Sequence, residues 1–143
     1  MYLFVIIDWN SRYIVDYELS STLDKAFVLN CLRRALNGRK PKIINSDHGD
    51  HFTNPEYIKL LEKSGVMISK DGKGQCRDNA LTERFFMTLK YDTIYIQEVN
   101  NPRELRHMFE DYIFRYNTYR PHSALGGRRP AEVYDNAINN RVA

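Results

Sequence analysis

The sequence has few cysteines, one tryptophan, no long apolar run and no strong excess of either charge. Only Cys31 and Cys76 are present, with no partner spacing for zinc, which argues against a disulfide framework and for reduced thiols in a cytosolic protein. His48 and His51 stand near each other, but no third ligand recurs at zinc spacing, so they read as part of a polar loop. No apolar stretch approaches the roughly 18 residues of a membrane span. The opening run to Ile7 is too short for one and lacks the basic flank of a signal peptide. With 21 Lys and Arg against 18 Asp and Glu, the net charge of +3 permits a nucleic-acid partner without demanding one. What remains is 143 residues, 43% hydrophobic and 13% aromatic, which is one domain's worth of globular chain. There is no internal repeat, low-complexity tract or second domain.

Taken in order, Tyr2 to Ile7 is a continuous apolar run and residues 13–18 alternate, with turn-like residues between them, so a β-hairpin is predicted. Ser21 to Asp24 reads as a capping box for a helix whose apolar stripe is Leu23, Phe27, Leu32 and Leu36, ending at Gly38. A buried strand is predicted over 43–46. Thr53, Asn54, Pro55 and Glu56 then start a helix that Gly65 ends, and residues 66–69 form the next strand. Asn101 and Pro102 cap a long helix with a core stripe of Leu105, Met108, Phe109, Tyr112, Ile113 and Tyr116. Pro130 begins a last short helix, and the polar end is expected to fray.

The basic residues fall in three places. Arg33, Arg34, Arg39, Lys40 and Lys42 gather at the end of the first helix, either as a solvated terminus that favours the helix dipole or as a DNA patch. Residues 70–78, with Lys73 and Arg77, form a glycine-containing basic loop that either closes over DNA or is an ordinary linker. Arg115, Arg120, His122, Arg128 and Arg129 accompany Tyr116 and Tyr119, a composition suited to phosphate contact and base stacking, or equally to packing of the tail onto the core.

The chemistry concentrates between Asp47 and Glu83. A β-branched run delivers Asp47 to its C-terminal tip, where open α/β sheets place their sites. Asp78 or Asn79 would cap a helix carrying Glu83 about one turn in, with Phe85, Phe86 and Leu89 on the opposite face. Thirty-five residues separate the two acids. Spacing alone is weak, since this many acids would give roughly one or two such pairs by chance. Read by themselves, Asp47 is a turn former and Glu83 an ordinary first-turn acid. Asp78-Asn79-Ala80 before the glutamate and Tyr116-Asn117-Thr118-Tyr119-Arg120-Pro121-His122 later add specificity. Together these motifs resemble the DDE transposases of bacterial insertion sequences, members of the retroviral-integrase superfamily, over nearly the whole chain.

The resemblance implies an α/β, ribonuclease-H-like mixed sheet flanked by helices, with residues 1–143 as a partial catalytic core and 119–143 as its C-terminal tail. It implies metal-dependent DNA cleavage and strand transfer, with Asp47 and Glu83 as the second and third acids of the triad. These would bind two Mg²⁺ or Mn²⁺ ions, hard cations that require oxygen ligands. Asn79 and Lys90 fall on the Glu83 face by helical spacing. With Lys73, Arg77, Arg120 and His122 they are the expected DNA contacts, the protein acting as a homo-oligomer on transposon ends and target, in the cytoplasm at the nucleoid and with no membrane partner. The first acid of the family lies on a strand upstream of the hairpin, and this chain begins at the hairpin. Asp8 matches instead a structural turn residue before Ser11 and Arg12. The expectation is an N-terminally truncated core lacking its central strand and inactive by itself, or a non-catalytic DNA-binding or assembly remnant.

Overall fold

In the computed structural model of the protein, residues 2–22, 24–38, 40–46, 54–70, 80–94 and 101–135 are described. The apolar run Tyr2–Ile7 forms strand β1 and Ile14–Ser20 forms β2. The two are hydrogen-bonded neighbours. Their connection is far too short for a parallel crossover, so they make an antiparallel hairpin. Its turn is built by Asp8, whose carboxylate accepts from the Ser11 amide at 3.0 Å and from the Ser11 hydroxyl at 2.5 Å. Arg12 takes a left-handed φ of 62° there, a conformation that costs a non-glycine residue energy and that these bonds hold in place. Asp8 is therefore the turn residue that its spacing to Ser11 and Arg12 suggests.

Helix α1 (Lys25–Asn37) starts later than its sequence signal. Asp24, not Ser21, is the N-cap, accepting from the Ala26 amide at 3.3 Å. Upstream, the Ser20 hydroxyl accepts from the Thr22 amide at 3.2 Å, a local bond that competes with helix formation. The buried face is Val28, Leu29, Cys31, Leu32 and Leu36, while Phe27 is only half-buried. Leu23 lies outside the described residues.

Strand β3 (Ile43–Ser46) pairs in parallel with β4 (Met67–Lys70), in the register Ile43 to Met67 through Ser46 to Lys70. Between them runs α2 (Pro55–Lys63), with Asn54 as N-cap and Pro55 in the first turn, as expected. β4 begins one residue later than predicted because the Val66 amide bonds the Leu61 carbonyl at 3.0 Å, closing the end of α2 after Gly65 at φ 75°. Ile43 is 52% exposed, against the expectation of a buried strand. Among the described residues β3 has one ladder partner, and the β1–β2 and β3–β4 ladders are separate.

Helix α3 (Ala80–Leu89) runs directly into a π-helical turn, Lys90–Ile94, which no sequence signal announced. Helix α4 (Pro102–Thr118) is capped by Asn101, whose side chain accepts from the Glu104 amide at 2.9 Å. It buries Phe109, Ile113, Tyr116 and Asn117. A 3₁₀ turn (Ser123–Leu125) and a helical stretch over 130–135 follow.

The chain divides into two compact units, residues 1–4 with 16–87 and residues 5–15 with 88–143. The first is built on Val28, Cys31, Leu32, Tyr57, Leu61 and Phe85, and the second on Ile14, Leu89, Phe109, Ile113 and Leu125. Cys31 is a free thiol with no exposure, and burial pushes its pKa up to about 12, so it is neutral and inert at physiological pH.

Candidate active site

Helix α3 presents Glu83 in its first turn, where the partial positive charge of the helix N-terminus favours a carboxylate. Phe85 and Leu89, each 2% exposed, anchor the opposite side of the helix, and the Phe85 and Phe86 rings meet edge to face at 5.6 Å. That anchoring leaves Glu83 exposed, together with Arg84 and Met87. Among the described residues the Glu83 carboxylate has no ion-pair or hydrogen-bond partner. β3 ends at Ser46, immediately before Asp47. Asp47 itself lies outside the described residues, as do Lys73, Arg77 and Asn79 with the 71–79 segment, and Cys76, His48 and His51. Among the described residues no group of three or more His, Cys, Asp or Glu is arranged to hold a metal ion. None of their helices is long and apolar enough to cross a membrane.

Lys90 is exposed and opens the π-helical turn. Arg120 is engaged: its Nη1 lies 2.5 Å from Asp92 Oδ2 and 3.1 Å from the Tyr112 hydroxyl. The Tyr112 hydroxyl donates to the same Asp92 oxygen at 3.1 Å. The His122 ring packs edge to face on Tyr116 with centroids 4.7 Å apart, and its Nε2 is buried with no hydrogen-bond partner among the described residues. Burial, and then the neighbouring Arg120 charge, hold the His122 pKa below its ordinary value. The His122 backbone amide donates to the Arg128 carbonyl at 3.0 Å, and the His122 carbonyl accepts from Leu125 and Gly127, so this residue organises the turn that follows α4.

The sequence assigns Asp92 no role and presents Tyr112 only as part of the core stripe of α4, whereas its hydroxyl bonds Asp92 and Arg120. Asn117 belongs to a motif that was noticed, yet nothing local reveals its partner, the Ile14 backbone 103 positions away. Asp92 is 28 positions from Arg120 and carries no spacing signal. Arg34, read within a cluster of helix-end cations, instead grips Asp16, Glu18 and the Tyr17 carbonyl.

Comparison with known proteins shows the family and the fold. Two family models, each described as an integrase core domain, match residues 1–76 and 64–130. The chain is 33% identical over 145 residues to the putative transposase InsK of insertion sequence element IS150 from Escherichia coli K12, covering 99% of this chain and 51% of that one. It is 33% identical over 136 residues to the transposase of insertion sequence element IS904 from Lactococcus lactis, covering 92% and 54% respectively. It thus spans about half the length of the curated relatives it matches. The crystal structure of the catalytic core domain of BIV integrase superposes with a TM-score of 0.77 at 17% identity, over 99% of this chain and 90% of that one, which shows the ribonuclease-H-like fold. By these matches the chain belongs to the integrase core family, and over nearly its whole length it is similar to transposases of bacterial insertion sequences.

Proposed function

We propose that this chain is the catalytic core of a transposase that cleaves DNA and joins the ends to a target, with Asp47 and Glu83 as ligands of divalent metal. The observation that carries the reading is the exposed Glu83 carboxylate in the first turn of a helix whose far side is locked by Phe85 and Leu89. The donors fit the group: carboxylate oxygens suit Mg²⁺ or Mn²⁺, and in the described part of the chain no ion pair competes for Glu83. When bound, a pair of such ions supplies activation of the attacking oxygen and charge stabilisation at the leaving one. Glu83 supplies a rigidly held carboxylate, and Asp47, one residue beyond β3, supplies the second. Neither acts as a general base.

DNA is held by cationic and polar groups: Lys73, Arg77 and Asn79 on the segment preceding α3 and Lys90 following it, with His122 contributing from the turn after α4. Phosphate contacts of this kind position DNA without reading sequence. The 143 residues act as one core, with 119–143 as its tail, a reading supported by integrase-core matches spanning both units. The protein works as a homo-oligomer on DNA, in the cytoplasm.

The test is a strand-transfer assay with Mg²⁺ or Mn²⁺ on a pre-cut end of the element that carries this gene, run with residues 1–143 and with a form extended upstream. Joining by the extended form, lost on Asp47→Asn or Glu83→Gln, is the expected result. Joining by residues 1–143 that Asp8→Asn abolishes would make Asp8 the first acid. DNA binding with no metal-dependent joining by either form would favour an assembly module.

A further inference from the structure

Three polar side chains in the second unit are spent on one another. Asp92 comes from the π-helical turn, Tyr112 from α4 and Arg120 from just beyond its end. Arg120 donates to Asp92 and to the Tyr112 hydroxyl, and that hydroxyl donates to Asp92, so the three close a triangle with contacts of 2.5 to 3.1 Å. A charge-assisted bond between partly shielded groups is reinforced when a third member polarises both.

What the triangle holds is unusual backbone. A π-helical turn is rare and occurs mostly at functional sites. Here it is fixed at two points. The Thr93 hydroxyl, on a residue 4% exposed, donates to the Leu89 carbonyl at 2.5 Å, and Asp92 beside it is held by the triangle. Lys90, two residues before Asp92, opens this same turn and faces solvent.

We propose that Asp92, Tyr112 and Arg120 form a latch that fixes the π-helical turn and thereby aims Lys90, so that Arg120 is a positioning residue acting through Asp92 rather than a phosphate contact. The proposal rests on the DNA-binding reading of Lys90 given above. A phosphate reaching Arg120 would meet a guanidinium whose charge is already offset by the Asp92 carboxylate at Nη1. Tyr112 remains a donor at physiological pH, because burial pushes its pKa up. The side chains of Arg120 and Asp92 are 42% and 37% exposed, so the latch is weak enough to bias one turn without deciding whether the chain folds.

The experiment compares Asp92→Asn, Arg120→Gln, their double variant and Lys90→Gln in the full chain. Hydrogen exchange of amides 90–94 is read first. The latch requires Asp92→Asn and Arg120→Gln to speed it by a similar factor, roughly fivefold for an ion pair of this exposure, with little added by the double variant. Equal exchange in all variants overturns the latch. Binding to a short duplex of arbitrary sequence is read second, as a function of salt. Lys90→Gln should lower the log–log salt slope by about 0.9. Asp92→Asn and Arg120→Gln should lower it toward the same value, and neither should add to Lys90→Gln. A latch that merely stabilised the fold would leave that slope unchanged. A steeper slope in Asp92→Asn, from an Arg120 freed to meet phosphate, or a further fall when Arg120→Gln is added to Lys90→Gln, overturns the positioning role. If Lys90→Gln itself leaves the slope unchanged, the DNA reading of Lys90 fails and its aiming with it, while the exchange rates still decide whether the triangle holds the turn.

Discussion

Asn117 completes both backbone hydrogen bonds of Ile14: its Oδ1 accepts from the Ile14 amide at 2.8 Å and its Nδ2 donates to the Ile14 carbonyl at 3.1 Å. An amide side chain on α4 thus stands in for a neighbouring strand at the first residue of β2. Both residues are buried, Ile14 at 2% and Asn117 at 6% exposure. Asn117→Ala leaves a buried amide and a buried carbonyl unpaired, each costing about 1–3 kcal/mol. The expected loss is roughly 2–6 kcal/mol, which for a chain of this size lowers the thermal midpoint by about 10 °C or more. An unchanged midpoint would show that water or a shifted backbone replaces the amide.

Arg34 is a smaller and salt-sensitive case. Its Nε and Nη2 grip both oxygens of Asp16 at 3.0 and 3.1 Å, Nη1 reaches Glu18 at 2.7 Å, and Nη2 also donates to the Tyr17 carbonyl at 2.9 Å. With the Arg34 side chain 48% exposed, solvent screens much of this. Arg34→Lys keeps the charge but loses the planar fork, and is expected to cost about 1 kcal/mol in denaturant unfolding. The difference from the parent should shrink at molar salt, where the screening length falls to about 3 Å. A loss independent of salt would point to packing of the arginine stem instead.

The half-buried His122, with its Nε2 shielded from solvent, makes stability depend on pH. Its folded-state pKa is lowered from the ordinary 6.5, first by burial and then by the charge of Arg120, with Arg12 acting in the same direction and a hydrogen bond to the Tyr116 backbone opposing them. The unfolded chain therefore takes up the proton at a higher pH than the folded one. The contribution is complete above the ordinary value and is lost as pH falls below it. Unfolding free energies at pH 7.5 and pH 5 should differ more for the parent than for His122→Gln. Equal differences would mean that the ring gains access to solvent when protonated.

Much of the fold was legible because its signals are local. The Asn54 and Asn101 caps, each followed by proline, the closing Gly65 and the apolar stripe from Leu105 to Tyr116 all announce themselves within a few residues. What escaped depends on distant or competing contacts. Ser21 has the residue type of a cap, yet Ser20 and Thr22 satisfy each other and Asp24 takes the role. Ile43 and Ile44 read as a buried strand, but burial depends on what pairs with β3, which its own residues do not encode. At the candidate site, Glu83 could be placed in the first turn of a helix from its apolar neighbours. The Asp92–Arg120 pair could not be found, because a π-helical turn has no periodic signature and its partner lies on another element.

Glu83→Gln offers a clean separation of chemistry from folding. The side chain is exposed, and its carboxylate has neither an ion pair nor a hydrogen bond to any other described residue. The local loss is then that of a first-turn acid facing the helix dipole, about 0.3–1 kcal/mol. Phe85 and Leu89, which hold α3 from the other side, are untouched. The unfolding midpoint should therefore shift by no more than a few degrees. Metal-dependent joining by an upstream-extended form should nonetheless disappear, because a neutral amide is a poor ligand for a hard divalent ion and the site relies on carboxylate charge. Glu83→Asp makes a useful companion: it keeps the charge but withdraws it by one methylene, and should lose most joining, since a site loosened by about 1 Å fails catalytically. If Glu83→Gln joined DNA at the parent rate with an unchanged midpoint, Glu83 would be an ordinary solvated helix acid and the third ligand would have to be sought elsewhere in the chain.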